Sequence, residues 1–169
     1  HAVFRGPHTS FPVSSSSKRQ GCVSHSTTEA ELVAADAAFR TAGLPLLSLW
    51  EKYIGKPSML YFHEDNKAML DIMRTGRNPT LRYLTRTQGV SVKWLHEVYE
   101  AGNVASMYTT TSLMAADLVT KAFSDAGKWT SLCEQVNVGP LQRFADAGVQ
   151  SIHHMFSTAV DDCSLQAVT

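Results

Sequence analysis

Apolar and polar positions near the N-terminus follow the pattern of short β-strands. The run A-V-F-R at residues 2–5 and the stretch F-P-V-S-S-S-S-K-R-Q at residues 11–20 flank a turn around residues 6–7, which predicts two short strands in a hairpin. Over residues 28–43 apolar side chains recur at helical spacing and predict a helix. We expect this helix to end or kink near Pro45, because proline lacks a backbone donor and its ring crowds the preceding turn.

Beyond this helix, short apolar strands alternate with helices. The run S-M-L-Y-F-H-E at residues 58–64 predicts a buried strand, and residues 105–109 predict another. Helical spacing predicts helices at residues 66–73, 92–99, 114–121 and 124–136. This order predicts an α/β domain, a mixed sheet with helices on its faces. Periodicity then weakens, so we expect one domain over residues 1–136 and a loosely attached tail over residues 137–169.

Composition and charge fit a protein of this class. Of the 169 residues, 44% are apolar and 18% are charged, as in a single globular domain. Fifteen basic residues balance fifteen acidic ones, so any surface for nucleic acid must be local. Three scattered cysteines argue against a disulfide framework and favour a reducing compartment. We see neither a membrane-length apolar run nor a signal peptide, and we expect an intracellular protein without a membrane partner.

The stretch S-T-T-E-A-E at residues 26–31 places two glutamates at the start of the first long helix. Each has a serine or threonine three residues before it, which is the spacing of a capping box. Two residues that are two apart on a helix point in different directions, so only one of these glutamates can face the apolar side. The glutamate on that side needs an explanation other than capping.

Three carboxylates occupy the ends of predicted elements: Glu31 in the first helix, Asp65 after a strand, and Asp117 at the start of a helical turn after the last strand. In open α/β sheets, sites form beyond the carboxyl ends of the strands, where these side chains could converge. Carboxylate oxygens suit Mg²⁺ or Mn²⁺, and paired ions of this kind assist phosphodiester cleavage. Taken singly, each residue is more simply explained as a helix cap or a solvated charge.

Four motifs carry a resemblance to a known family. In chain order they are S-S-K-R-Q at residues 16–20, S-T-T-E-A-E-L-V-A-A at 26–35, H-E-D-N-K-A at 63–68 and A-A-D-L-V-T-K-A-F at 115–123. In sequence and spacing they resemble the ribonuclease H domain of copia-type LTR retrotransposon polyproteins, whose usual forms are S-K-K-Q, S-S-T-E-A-E-Y, C-D-N-Q-S-A and L-A-D-I-L-T-K. The resemblance covers about residues 2–136 and implies a ribonuclease H-like α/β fold.

The resemblance also implies a chemistry for the three carboxylates. Domains of this family hydrolyse the RNA strand of RNA-DNA hybrids with two divalent ions, Mg²⁺ or Mn²⁺. By motif, Glu31, Asp65 and Asp117 correspond to catalytic, metal-binding residues, and Glu29 to the capping partner. The implied partners are an RNA-DNA hybrid and the reverse transcriptase portion of the parent polyprotein. The implied location is the cytoplasm or a virus-like particle.

The chain departs from the family pattern in ways that bear on activity. The family's first catalytic aspartate lies in a D-A-D-type motif on a strand upstream of the one at residues 2–4, and we expect that first strand to be missing here. Loss of one carboxylate removes both charge and geometry from a metal site, so we expect negligible hydrolysis. A non-catalytic remnant of the same fold that binds nucleic acid or protein is the alternative. The usual R-T-K-H-I-D is R-T-Q-G-V-S at residues 86–91, which is less basic.

Basic residues are concentrated between residues 72 and 95, where there is no Asp or Glu. They are Arg74, Arg77, Arg82, Arg86 and Lys93. Such a segment suits salt-dependent contact with phosphates of a hybrid that is recognised by shape and 2′-hydroxyl groups. A solvated helix face is the alternative. The candidate nucleic-acid contacts are Lys18, Arg19, Asn66, Arg82 and Arg86.

Two further patterns have plainer explanations. Cys22 and His25 have the C-x-x-H spacing of half a zinc site. The candidate second half, within residues 153–163, lacks the required spacing, so we expect no zinc. Trp94 falls in a helical pattern and is expected to pack in the core, not to stack on bases.

Overall fold

The computed structural model describes residues 1–6, 10–21 and 23–138 and the backbone of residues 164–168. Its strands form one mixed sheet in the order β2-β1-β5-β3-β4. They are β1 (Ala2–Arg5), β2 (Ser10–Ser14), β3 (Leu60–Glu64), β4 (Val104–Tyr108) and β5 (Ser164–Val168). β1 runs antiparallel to β2 and β5, whereas β3 runs parallel to β4 and β5. The predicted hairpin, the two later strands and the mixed α/β architecture are confirmed.

Seven α-helices connect the strands within the described residues. They are α1 (Thr27–Ala38), α2 (Leu44–Ile54), α3 (Lys67–Thr75), α4 (Leu84–Thr87), α5 (Val92–Glu100), α6 (Asp117–Thr120) and α7 (Ala126–Gln135), with 3-10 turns at Pro79–Leu81 and Thr111–Leu113. Four of them begin where a side-chain oxygen accepts a hydrogen bond from a backbone N–H of the first turn. These caps are Ser26, Asn66, Ser91 and Asp125. Local side-chain chemistry therefore sets where these helices begin.

α1 and α2 form one continuous helix of 28 residues, Thr27–Ile54, joined by a π-helical turn at Phe39–Gly43. The expected break at Pro45 takes the form of this π-helical turn. The Leu44 N–H donates to the carbonyl five residues before it, and the proline follows in the first turn of α2. By length and composition this helix could cross a membrane. Its inward face, including Leu32, is instead buried in the protein core.

The hydrophobic core lies between the sheet and the helices. Side chains of β3 alternate, and the ring of Phe62 points inward, 4.8 Å from that of Phe39 between centroids. On β1, Phe4 stacks on Trp50 of α2 at 4.3 Å. We did not predict α4, because four residues are too few to show periodicity. Its Leu84 is nevertheless fully buried, so α4 belongs to the core.

The C-terminal strand differs most from expectation. Residues 137–169 are predicted to be a loosely attached tail, but residues 164–168 lie at the centre of the sheet, paired with β1 on one side and β3 on the other. Strand ladders use backbone groups, so a short run with weak periodicity can take this position. β2 pairs with one edge of β1. A strand that preceded β1 in a hairpin would pair with the other edge, and β5 occupies that edge. Residues 139–163 lie outside the described residues.

The central position of β5 predicts that removal of the strand disrupts the fold. Truncation after Cys163 leaves the facing edges of β1 and β3 without their ladder partner, and we expect the cooperative thermal transition, followed by circular dichroism, to be lost. A chain that lacks only Thr169 serves as the control and is expected to unfold like the full chain. Equal transitions for the two truncated chains would show that β5 contributes nothing to stability.

Candidate active site

β3 and β4 end at the same edge of the sheet and lead into two of the predicted carboxylates. Their parallel register pairs Glu64 with Tyr108, so the segments that follow the two strands leave the sheet side by side. Asp65 directly follows β3, and its Oδ2 accepts a 2.7 Å hydrogen bond from the Thr111 hydroxyl in the segment after β4. Asp117, the first residue of α6, is almost fully buried. Parallel pairing of β3 with β4 thus places Asp65 beside the segment that follows β4.

Glu31 is the third predicted carboxylate, and three charged side chains act on its pKa. It lies in the second turn of α1 and is partly buried. Burial raises the pKa of Glu31, and the negative charges of Asp65 and Asp117 raise it further, whereas the Lys121 ammonium group lowers it. Asp65 and Asp117 therefore lie near enough to Glu31 for their charges to act on it.

We call Glu31, Asp65 and Asp117 together the acidic site. Their oxygen atoms are of the type that binds a hard divalent cation, but they do not form a complete set of ligands. Carboxylate oxygens suit Mg²⁺ or Mn²⁺, and their mutual repulsion favours a cation. Among the described residues, however, no three His, Cys, Asp or Glu side chains lie close enough together to hold one ion. Lys121 Nζ also lies 2.8 Å from Asp117 Oδ2. The central strand β5 has the sequence S-L-Q-A-V and contributes no acidic residue.

Glu29, which the motifs mark only as a capping partner, is a buried hydrogen-bond hub. Its backbone N–H donates to Ser26 Oγ at 3.1 Å, as the capping spacing predicts. Its carboxylate accepts from the His25 backbone N–H at 2.8 Å, the Tyr83 hydroxyl at 2.9 Å and the Gln88 side-chain amide at 2.6 Å. The His25 N–H is the main cause of the lowered pKa of Glu29, and burial opposes it. Glu29 thus joins the start of α1 to the region of α4.

The predicted nucleic-acid contacts near the start of α1 divide into two groups. Asn66 is used within the protein, because it caps α3 and its side-chain amide lies 3.4 Å from the Thr28 hydroxyl. Gln20 likewise donates to a backbone carbonyl of α1 at 2.8 Å. Lys18 and Arg19, in contrast, are exposed. The two basic residues are therefore on the surface, whereas the two amides form hydrogen bonds within the protein.

A basic groove lies between the end of α3 and the start of α5. It has a volume of about 330 Å³, and its polar lining includes Arg77, Asn78, Arg82, Ser91 and Lys93. Arg86 is exposed on the neighbouring α4. Within the described part of the chain, no carboxylate forms an ion pair with Arg77, Arg82 or Arg86. Guanidinium groups without an acidic partner suit phosphate binding.

The hypotheses about zinc and about Trp94 have different outcomes. Cys22 and residues 153–163 lie outside the described residues, so the expectation of no zinc site remains a prediction. Trp94 is confirmed as a packing residue: it lies against the core, and the Arg40 guanidinium lies 3.8 Å above its ring.

Comparison with known proteins adds no relative. No protein-family model, no curated protein and no solved structure matches the chain. What the site can do therefore follows from the placement of its own side chains.

The hydrogen bond from Tyr83 to Glu29 predicts a pH-dependent effect of Tyr83→Phe. At neutral pH we expect the variant to melt at a lower temperature, because the buried carboxylate loses a donor. A carboxylate with a lowered pKa stabilises the fold above its ordinary pKa and loses this effect as pH falls through the lowered value. The two melting curves should therefore converge in acid. Tyr53→Phe, at an exposed tyrosine, is the control; a difference that persists unchanged in acid would contradict this account.

The raised pKa of Glu31 predicts that Glu31→Gln stabilises the protein at neutral pH. The folded state binds the Glu31 proton more tightly than the unfolded state, so ionised Glu31 opposes folding above its pKa and has no such effect below the ordinary glutamate pKa. We expect the melting temperature to rise by about 2 °C at neutral pH and not in acid. Glu100→Gln, at an exposed glutamate, should change neither value. A lower melting temperature for Glu31→Gln at neutral pH would contradict the electrostatic account.

Proposed function

We propose that this chain is a ribonuclease H-like domain of a copia-type retroelement that binds RNA-DNA hybrids and is impaired in cleaving the RNA strand. The observation that carries the proposal is the placement of Asp65 and Asp117 in segments that follow β3 and β4, two parallel strands that end at the same edge of the sheet, with Thr111 of the segment after β4 donating a 2.7 Å hydrogen bond to Asp65. Sites in α/β sheets form at this edge, and the charges of both aspartates also raise the pKa of Glu31 on α1. The motif resemblance supports the finer assignment. On this proposal, the reverse transcriptase portion of the parent polyprotein is a further partner.

The acidic site has a defined part in this function. Glu31, Asp65 and Asp117 would hold Mg²⁺ or Mn²⁺, two ions in an intact domain. When bound, such ions activate water and stabilise the leaving oxygen in phosphodiester hydrolysis. Thr111 holds the Asp65 carboxylate in one orientation by its 2.7 Å hydrogen bond. Glu29 fixes the first turn of α1, two residues before Glu31.

The basic groove supplies the contact with the substrate backbone. Arg82 and Arg86 have no acidic partner in the described part of the chain, so their charge is available to phosphates. Contacts of this kind carry no base information. They suit a hybrid duplex, which is distinguished from DNA by its shape and by the 2′-hydroxyl groups of one strand.

A non-catalytic binding module with the same fold is the second candidate, and two observations favour it. The described residues contain no group of three side chains close enough for one metal ion. The central strand S-L-Q-A-V has no carboxylate. Binding through the basic groove requires neither feature, so it can persist where hydrolysis is lost.

Fluorescence anisotropy with a labelled RNA-DNA hybrid tests the binding part of the proposal. We expect Arg82→Glu with Arg86→Glu to weaken binding strongly and to reduce the slope of log affinity against log salt by about two, one for each lost phosphate contact. Lys52→Glu with Lys56→Glu, which makes the same change in net charge outside the groove, is the control. Equal losses in the two double variants would reject the groove as the binding surface.

Cleavage of the same hybrid separates the two candidates. In Mg²⁺ or Mn²⁺ we expect negligible hydrolysis by the purified chain, because the acidic site lacks a complete ligand set. Residual cleavage that disappears in Asp65→Asn would favour the impaired nuclease, and cleavage that is absent altogether would favour the binding module. A rate equal to that of an intact ribonuclease H would contradict the inferred impairment.

A further inference from the structure

One buried carboxylate contacts both ends of α4, the short helix beside the basic groove. Glu29 is fully buried in the first turn of α1 and accepts hydrogen bonds from the Tyr83 hydroxyl at 2.9 Å and from Gln88 Nε2 at 2.6 Å. Tyr83 lies directly before α4, and Gln88 lies directly after it. The two hydrogen bonds therefore join α4 to α1 at both of its ends.

α4 needs such support because it is too short to be stable by itself. It has four residues, whereas isolated helices below about 12 residues are marginal in water. Leu84 is buried in the core, and the Thr85 hydroxyl donates to the Val90 carbonyl at 3.0 Å, which joins α4 to the segment that follows it. Burial of an apolar side chain is not directional. The bonds to Glu29 add two directional contacts with a separate and longer helix.

Two arginines of the candidate nucleic-acid contacts belong to this segment. Arg82 directly precedes Tyr83, and Arg86 lies within α4, two residues before Gln88. Both side chains are exposed. A single flexible arginine can reach a phosphate from many backbone positions, but simultaneous contact with two phosphates is favoured when the backbone between the arginines is already ordered. The contacts of Glu29 provide this order.

We propose that Glu29 is a positioning residue for phosphate binding, which holds Tyr83 and Gln88 and thereby presents Arg82 and Arg86 at a fixed spacing to the backbone of a duplex. This inference rests on the proposed function, because it concerns the same basic groove. By its charge alone, a carboxylate opposes the binding of a polyanion. Positioning by Glu29 therefore predicts an effect on binding that is opposite in sign to the effect of net charge.

Fluorescence anisotropy with a labelled RNA-DNA hybrid distinguishes the two signs. Glu29→Gln keeps the size of the side chain but replaces one acceptor oxygen with an amide that cannot accept from Tyr83 or Gln88. We expect binding to weaken about five-fold, the size of one lost hydrogen bond, although the chain gains positive net charge.

Glu51→Gln is the matched control for Glu29→Gln. The Glu51 carboxylate also accepts a hydrogen bond from a backbone N–H, that of Ser58 at 3.1 Å, and it lies outside the basic groove. The control removes the same charge, and we expect it not to weaken binding. Equal weakening in the two variants would overturn the proposal, and so would tighter binding by Glu29→Gln.

Tyr83→Phe with Gln88→Met removes both donors without a change in charge, and it tests the proposal if Glu29→Gln does not fold. We expect weaker binding and a slope of log affinity against log salt that is smaller by about one, because the arginines no longer contact two phosphates together. Partial unfolding would lower the fraction of chains that bind but not this slope. Tyr53→Phe with Gln135→Met makes the same chemical changes on α2 and α7 and should bind like the unchanged chain. An unchanged slope in the first double variant would overturn the proposal.

A double-mutant cycle separates positioning of the arginines from a general effect on the protein. In a chain with Arg82→Gln and Arg86→Gln, addition of Tyr83→Phe and Gln88→Met should weaken binding no further, because the positioned groups are gone. A further loss of equal size would overturn the proposal.

The same variants separate this inference from the proposed function. If the chain with Arg82→Gln and Arg86→Gln binds the hybrid as tightly as the unchanged chain, the basic groove is rejected as the binding surface. If the arginine changes weaken binding and Glu29→Gln does not, positioning by Glu29 is overturned and the groove stands.

Discussion

Repulsion among three carboxylates is the constraint on which the arrangement of this edge of the sheet depends. Glu31, Asp65 and Asp117 come from separate parts of the chain, and the charges of the two aspartates raise the pKa of Glu31. Lys121 forms an ion pair with Asp117, Thr111 donates a hydrogen bond to Asp65, and the pKa of Glu31 is raised. None of these removes the excess negative charge, because two of the three carboxylates keep no cationic partner of their own within the described residues.

The first turn of α1 connects this acidic site to the basic groove. Glu29 accepts hydrogen bonds from Tyr83 and Gln88, which flank α4, and Thr28 contacts Asn66 directly after Asp65. One helical turn is therefore tied to the turn after β3 on one side and to the basic segment on the other. The link to the basic segment runs through the buried Glu29 carboxylate, whose three hydrogen bonds are 2.6–2.9 Å long, and the link to the turn after β3 runs through Thr28.

The features that were predictable from the sequence are those set by neighbours along the chain. The capping spacing at Ser26, the start of a helix near Asn66 and the apolar run of β3 are local patterns, and the structure has these elements where they are expected. The partners of Glu29 lie 54 and 59 residues away, and no local rule pairs a capping glutamate with a distant tyrosine or glutamine. β5 was missed for a similar reason, because ladder hydrogen bonds are made by the backbone and leave little trace in a five-residue sequence.

Binding and hydrolysis place unequal demands on such a site, and this decides which of them a partial site retains. Phosphate contact needs only positive charge within reach, and exposed arginines on flexible side chains supply it over several ångströms. Catalysis needs ligands held to within about 0.5 Å by a supporting shell. Here Asp65 has a supporting hydrogen bond from Thr111, but the strand at the centre of the sheet, S-L-Q-A-V, contains no acidic residue. A carboxylate on that strand would be fixed by ladders on both sides, which is the most rigid support that a sheet provides. On the proposed function, the lack of such a carboxylate would weaken hydrolysis more than binding to a duplex.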